Sequence, residues 1–260
     1  MTPDLPIALL VILGIGSFIA GLVDAVVGGG GLVQIPLLFA AFPGASPAVL
    51  FGTNKLASVV GTSSAAIQYA RRIAVPWRLA LPSAGAALLG SWFGAKSVSH
   101  FSPELVRPLV LILLVSVAIY TFMRKDFGKL ARPSPHTHRV QVAIICAIGL
   151  ALGFYDGFFG PGTGSFLIFL FIRFLGQDFL QASVTAKIVN VATNLAAIAF
   201  FVGHGSVLWL AAGVMASCNL AGAVVGTRLA VARGTGFVRK LFLFVVTALI
   251  LKLAYDILGA

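Results

Sequence analysis

Six runs of roughly 20 apolar residues, almost free of charge, constrain this chain more than any other feature. They fall at residues 5–27, 79–95, 105–123, 140–159, 207–225 and 241–258. An α-helix needs about that length to cross the hydrocarbon core of a bilayer. Barrel strands are shorter and alternate apolar with polar residues, so the pattern predicts a helical bundle. Composition agrees: with 59% hydrophobic and 10% charged residues and a mean hydropathy of +1.05, the charges are too few to cover a soluble domain of 260 residues. The net charge of +11 would suit a nucleic-acid binder. Here the basic residues sit in short loops between the apolar runs, which reads as membrane topology, and no nucleic-acid partner is expected. Cys146 and Cys218 lie inside apolar runs, so no disulfide framework is expected. Only Met1-Thr2-Pro3-Asp4 precedes the first run, which predicts no cleaved signal peptide and an outward-facing N-terminus.

The chain also repeats itself. A shift of 132 residues aligns 21–123 with 153–255 without a gap and gives 23 identities in 103 positions. About ten would be expected from so skewed a composition. Asp24 meets Asp156, Gly28 and Gly30 meet Gly160 and Gly162, Thr53 meets Thr185, and Lys55 meets Lys187. Trp77 meets Trp209, Gly90 and Gly94 meet Gly222 and Gly226, and Arg107 meets Arg239. The domains that follow are a first transmembrane repeat at 1–123, a cytoplasmic linker at 124–139 and a second repeat at 140–260.

Each repeat reads as a long helix, a short apolar stretch (about 32–43 and 165–175) and three full helices. A helix of about 12 residues rises only about 18 Å, too little for a crossing. The tips Gly28-Gly29-Gly30-Gly31 and Gly160-Pro161-Gly162-Thr163-Gly164 break the helix before each short stretch. The opening pair is therefore read as a re-entrant or broken hairpin with its tip inside the membrane, where irregular backbone must be packed in protein or line a cavity. The fold class expected is an all-α polytopic membrane protein of two inverted repeats, each a broken hairpin plus three transmembrane helices.

Inversion follows from two arguments. Three crossings plus an even-numbered hairpin make an odd total per repeat. The loop with Arg71, Arg72 and Arg78 is basic, whereas its counterpart His204-Gly205-Ser206 has no Lys or Arg; the next loop reverses, with one basic residue at 96–103 and four at 228–240. One inverted topology places these loops, Arg173 and the linker residues Arg124, Lys125, Lys129, Arg132 and Arg139 on the cytoplasmic side, 13 of the 18 basic residues. Both termini then face outward, in the periplasm.

Three sets of residues are candidates for function. The glycine tips would present free N–H groups and helix dipoles suited to an anion at the midplane of an inverted-repeat transporter. No Gly-Lys-Ser/Thr follows the glycines, so a nucleotide P-loop is not supported. Lys55, Ser58 and Thr62, and the equivalent Lys187, Asn190 and Asn194, form a polar stripe on one face of the third segment in each repeat. An intramembrane lysine is a functional candidate, with snorkelling to an interface as the alternative. Asp24 and Asp156 precede the tips by one helical turn. Each is a candidate for proton coupling, for pairing a lysine, or for a helix-end hydrogen bond. Gln34, Gln68 and Asn219 rank below these. Gly90-x-x-x-Gly94 and Gly222-x-x-x-Gly226 are small-residue helix contacts inside the bundle, with a homodimer contact as the lesser reading. Trp77 and Trp209 suit interfacial anchors. His136 and His138 lack the company a metal site needs, and no motif for a cofactor or for catalysis is present, so no cofactor and no enzyme are expected.

The runs Gly21-Leu-Val-Asp24-Ala-Val-Val-Gly-Gly-Gly-Gly31, Gly52-Thr-Asn-Lys55, Asp156-Gly-Phe-Phe-Gly-Pro-Gly-Thr-Gly164 and Thr185-Ala-Lys187-Ile-Val-Asn190 resemble the TauE/SafE sulfite-exporter family, across nearly the whole chain. The Asp156–Gly164 run is the most specific piece. The resemblance implies a bacterial inner-membrane permease for sulfite, a sulfonate or a related small sulfur-containing anion. Gly28, Gly29, Gly30, Gly31, Thr53, Lys55, Gly160, Gly162, Thr163, Gly164, Lys187, Asn190 and Asn194 are expected at the substrate, and Asp24 and Asp156 at a proton-coupling step. Alternating access is the mechanism expected; an anion channel on the same scaffold is the alternative.

Overall fold

Left-handed glycines set the ends of the short elements and so the shape of the fold. The protein is described by a computed structural model over residues 6–97 and 137–258. Within these residues it is all helical, with α1 (Ile7–Val27), α2 (Gly31–Ala41), α3 (Pro47–Ala70), α4 (Trp77–Ser97), α5 (His138–Phe158), α6 (Thr163–Leu175), α7 (Phe179–Gly203) and α8 (Trp209–Leu258). The run at 105–123, Arg107 and most of the linker, with Arg124, Lys125, Lys129, Arg132 and His136, lie outside the described residues.

α1 stops at Gly28, whose φ of 80° turns the chain out of the helix while its N–H donates to the Asp24 carbonyl at 2.8 Å. After two residues α2 begins, only 11 residues long. In the second repeat Gly160 and Gly162 (φ 91° and 81°) make the corresponding turn before the 13-residue α6, and Gly176 ends that helix in the same conformation. Pro47 opens α3 at its first turn, and the Asp178 carboxylate caps α7 by accepting from Leu180 N and Gln181 N at 2.8 Å.

Among the described residues, four helical stretches are long and apolar enough to cross a membrane: Ile7–Val27, His138–Phe158, Phe179–Gly203 and Trp209–Gly234. α3 and α4 have the length, 24 and 21 residues, with a more polar composition. One boundary differs from the sequence reading. Residues 228–233, placed there in a loop, continue the helix from Trp209, and only Gly234 (φ 71°, ψ −172°) breaks it. The stretch Arg228-Leu-Ala-Val-Ala-Arg233 is built of helix formers, so nothing before Gly234 stops the helix.

The two repeats interleave. α1 packs along α8 and α5 along α4; α3 also packs on α8, α7 on α4, and α3 and α7 on each other. Under the 132-residue shift α1 corresponds to α5 and α4 to α8, so each repeat lays its first helix on the fourth helix of the other. Small residues allow this closeness. A Cβ on Gly90 or Gly94 would strike the backbone of α5 at Leu150 and Phe154, and one on Gly222 or Gly226 would strike α1 at Phe18 and Leu22. The Gly-x-x-x-Gly pairs thus serve packing inside the bundle. Ser83 of α4 and Ser17 of α1 add hydroxyl bonds across the same two seams, to the Ile145 and Met215 carbonyls at 3.1 and 2.7 Å. Outward, Val11, Ile15, Ile19, Leu81, Leu89, Phe93 and Leu195 are exposed, an apolar coat suited to lipid. Trp77 and Trp209 are exposed at the starts of α4 and α8, where anchors belong.

Candidate functional site

The two glycine tips meet. Ser165, at the start of α6, donates its N–H to the Gly28 carbonyl at 3.1 Å and its hydroxyl to the Val27 carbonyl at 2.8 Å. A Cβ on Gly28 would lie 2.6 Å from the Gly164 Cα, and one on Gly31 would lie 3.4 Å from the Pro161 Cα. Only glycine at Gly28 and Gly164 lets the two backbones approach so closely. The second tip is braced from within: the Thr163 hydroxyl donates to the Gly160 carbonyl at 2.8 Å, and the Tyr155 hydroxyl to the Pro161 carbonyl at 2.6 Å.

One turn before each tip stands an aspartate, and each aspartate pairs with the lysine of the other repeat. Lys55 Nζ lies 2.6 Å from Asp156 Oδ2, and Lys187 Nζ lies 2.7 Å from Asp24 Oδ2. The lysine residues are only 3% and 1% exposed, so neither snorkels to an interface. Of the three roles open for the aspartates, pairing a lysine is the one the geometry displays. Each ammonium is already engaged, and the four charges sum to zero. Such pairs hold only where Coulomb attraction and hydrogen bonds offset the desolvation of both ions.

The pairs differ in detail. Lys187 donates twice to Asp24, to its carbonyl and to Oδ2, and the Thr62 hydroxyl also donates to Oδ2 at 3.2 Å. Lys55 approaches Asp156 Oδ2 at 2.6 Å without the alignment of a hydrogen bond, and that oxygen has no aligned hydrogen-bond partner among the described residues.

Between the tips and the stripes lies a polar cavity of about 30 Å³, room for a water or two. Of the residues expected at the substrate, Gly28, Gly31, Lys55, Gly160, Gly162, Thr163, Gly164, Asn190 and Asn194 line it, together with Asp24 and Asp156. Ser58 and Thr62, the rest of the first stripe, line it too. Four expected residues do not. Gly29 and Gly30 lie behind the tip, a Cβ on Gly30 falling 2.8 Å from the Asp24 Cβ. Lys187 points to Asp24. Thr53 accepts from Leu208 N at 2.9 Å and donates to the Val49 carbonyl, so it holds the start of α8 instead of facing the cavity.

The structure adds Asn54, which sequence reasoning passes over because it falls off the i, i+3, i+7 stripe. Asn54 and Asn190 are buried and line the cavity, and the Oδ1 of each has no hydrogen-bond partner among the described residues. An unmet buried polar atom costs roughly 1–3 kcal/mol, so its retention here calls for a reason. Gln34 is a structural link, accepting from Ser58 at 2.8 Å and donating to Ser17 at 2.6 Å; Gln68 donates to Ser64, and Asn219 to the Ser17 carbonyl.

The arrangement, interrupted helices around a buried polar cavity inside an apolar bundle, suits translocation of a small polar solute. Comparison with known proteins agrees in kind. The family model described as sulfite exporter TauE/SafE matches residues 13–253. A probable membrane transporter protein, ORF9 of Sinorhizobium sp, is 34% identical over 97% of this chain and 95% of its own length. The probable membrane transporter protein YfcA of Escherichia coli strain K12 is 33% identical over 95% of this chain and 90% of its own. A third, from Haemophilus influenzae, is 31% identical, with 97% of each chain covered. No solved structure shows a significant match.

Proposed function

The chain belongs to the TauE/SafE sulfite exporter family, and from that membership we propose that this multi-pass membrane transporter carries sulfite, a sulfonate or a related small sulfur-containing anion across the bacterial inner membrane. The observation that carries the reading is the meeting of two interrupted helix ends at one buried cavity, each end held by a cross-repeat lysine–aspartate pair. Amide groups and helix dipoles at such ends favour oxyanions. With the tips in contact the cavity has room for a water or two, and passage of a sulfur oxyanion between the halves would widen it. Alternating access between oppositely oriented repeats supplies that movement, with both termini on the periplasmic side and the basic loops inside.

Purified protein in liposomes tests this. Labelled sulfite or methanesulfonate should exchange across the vesicle membrane at a rate at least tenfold above protein-free vesicles. Rates equal to that background for both anions would refute the assignment. Saturable exchange supports a carrier, whereas unitary currents in a planar bilayer would support the channel reading.

A further inference from the structure

The two ion pairs occupy equivalent places in the repeat and differ in how they are held. We propose that the anion travels with one proton, that Lys55 and Asp156 form the exchange pair, and that Lys187 and Asp24 are a fixed clamp on the first tip; this rests on the transport reading above. Lys187 donates two of its three N–H groups to the Asp24 carbonyl and carboxylate and takes no part in the cavity wall. Lys55 and Asp156 both line the cavity, and their contact is an unaligned ion pair. The second pair to part is the one with hydrogen bonds to lose.

Charge conservation supplies the proton. The buried site is neutral, and an anion entering alone would leave a net negative charge in a medium that solvates it poorly. Transfer of a proton from water to Asp156 Oδ2 forms one O–H bond, cancels the carboxylate charge and releases the Lys55 ammonium to the anion. Release of the anion on the far side returns the proton to water and Lys55 to Asp156. No electrons move. The groups around Asp156 leave this exchange to it: Lys55 comes from α3, the Tyr155 hydroxyl is engaged by Pro161, and Asp24 across the cavity is held by Lys187 of α7. Arg78 and Lys96 of α4 and Arg173 of α6 are exposed.

Asn54 and Asn190 are the second observation pointing to a ligand. Each keeps one buried amide atom unmatched at the cavity. A carboxamide turned by 180° offers N–H in place of oxygen, and an oxyanion is an acceptor able to meet it. Neutrality also names the substrate class: one proton balances one charge, so the site takes monovalent anions, a sulfonate or hydrogensulfite, and discriminates against dianions.

Labelled methanesulfonate is the probe, because it remains a monoanion at any assay pH and has no neutral form to leak through lipid. In proteoliposomes, a gradient of one pH unit, acid outside, should accumulate it about tenfold inside, since one proton per anion balances the two gradients. A membrane potential set with potassium and valinomycin should leave the rate unchanged, and excess sulfate should not compete. Asp156→Asn should abolish accumulation and leave only downhill movement; Ser217→Ala, at an exposed position of α8 outside the cavity, should accumulate as the native chain does. Flux that follows the potential and ignores the pH gradient would overturn the proposal, as would accumulation by Asp156→Asn or effective competition by sulfate. If Asp156→Asn does not fold, the potential and sulfate measurements on the native chain decide. Absence of any methanesulfonate or sulfite movement defeats the transport reading itself, a different result from uncoupled movement.

Discussion

The first and second hairpin tips descend from one ancestral segment, yet they are held in opposite ways. The first, Gly28 to Gly31, has little internal bracing; it is fixed from outside by Lys187 on the Asp24 carbonyl and carboxylate and by Ser165 on the carbonyls of Val27 and Gly28. The second, Gly160 to Thr163, is braced by its own side chains, through Thr163 and Tyr155, and its aspartate keeps only an unaligned ion pair. Duplication supplied two equal positions, and substitution then gave them different tasks. Where bracing is internal, the lysine makes an ion pair alone; where it is absent, the lysine also holds the backbone of the tip.

The contact between the tips should be the least tolerant point. Gly28→Val and Gly164→Val each drive a branched side chain into opposing backbone, and Gly28 adds a φ that valine rarely adopts. Neither variant should give monodisperse protein by size-exclusion chromatography. Gly29→Ala, whose Cβ would lie 3.6 Å from the nearest atom, should behave as the native chain. Equal tolerance at Gly28 and Gly29 would mean that the tips are not packed as described.

The clamp comes next. Lys187→Met leaves the partly exposed Asp24 without its cation and removes two hydrogen bonds, and should lower the thermal midpoint in detergent more than Lys55→Met does, which loses an ion pair without them. Replacing both partners, as in Lys187→Met with Asp24→Asn, should recover most of the loss, because the charge left without a partner and not the pair itself carries the cost. If Lys55→Met proves the more destabilising of the two, the assignment of clamp and exchange pair is reversed. A smaller effect tests the same tip from the other side: Ser165→Ala removes one buried hydroxyl bond and should cost about 1 kcal/mol, read as a modest fall in the same midpoint.

Much of this architecture is legible in the amino-acid sequence. Apolar runs and glycine breaks predict the helices, and the 132-residue shift predicts that Asp24, Asp156, Lys55 and Lys187 hold equivalent places. What the shift cannot supply is the partner across it. Lys187 could in principle meet Asp156 of its own repeat, and only the interleaving of α1 with α8 and α5 with α4 brings it to Asp24 instead. Without that packing, pairing a lysine stays one of three readings for each aspartate. Thr53 misleads for a related reason: identity with Thr185 suggests a shared role at the site, but its hydroxyl serves the backbone of α8. The helix across 228–233 escapes a sequence reading because charge marks a loop in a membrane protein, whereas Arg228 and Arg233 only mark where the helix leaves the apolar zone.

The smallest expected effect on stability separates packing from recognition most cleanly. Asn54 is nearly isosteric with leucine, and its Oδ1 makes no hydrogen bond among the described residues. Exchange for an apolar residue of similar volume removes an unmet polar atom, so Asn54→Leu should leave the thermal midpoint within a few degrees of native or raise it. Its equivalent in the second repeat is Ala186, so the duplication itself shows that an apolar side chain can occupy this helix position. If Asn54 is present for the anion, the same variant should lose about tenfold in apparent affinity for methanesulfonate, a single charge-assisted hydrogen bond being worth roughly 1.5–3 kcal/mol. A stable variant with native affinity would leave Asn54 without a part in recognition and return the difference between the two repeats to the ion pairs alone.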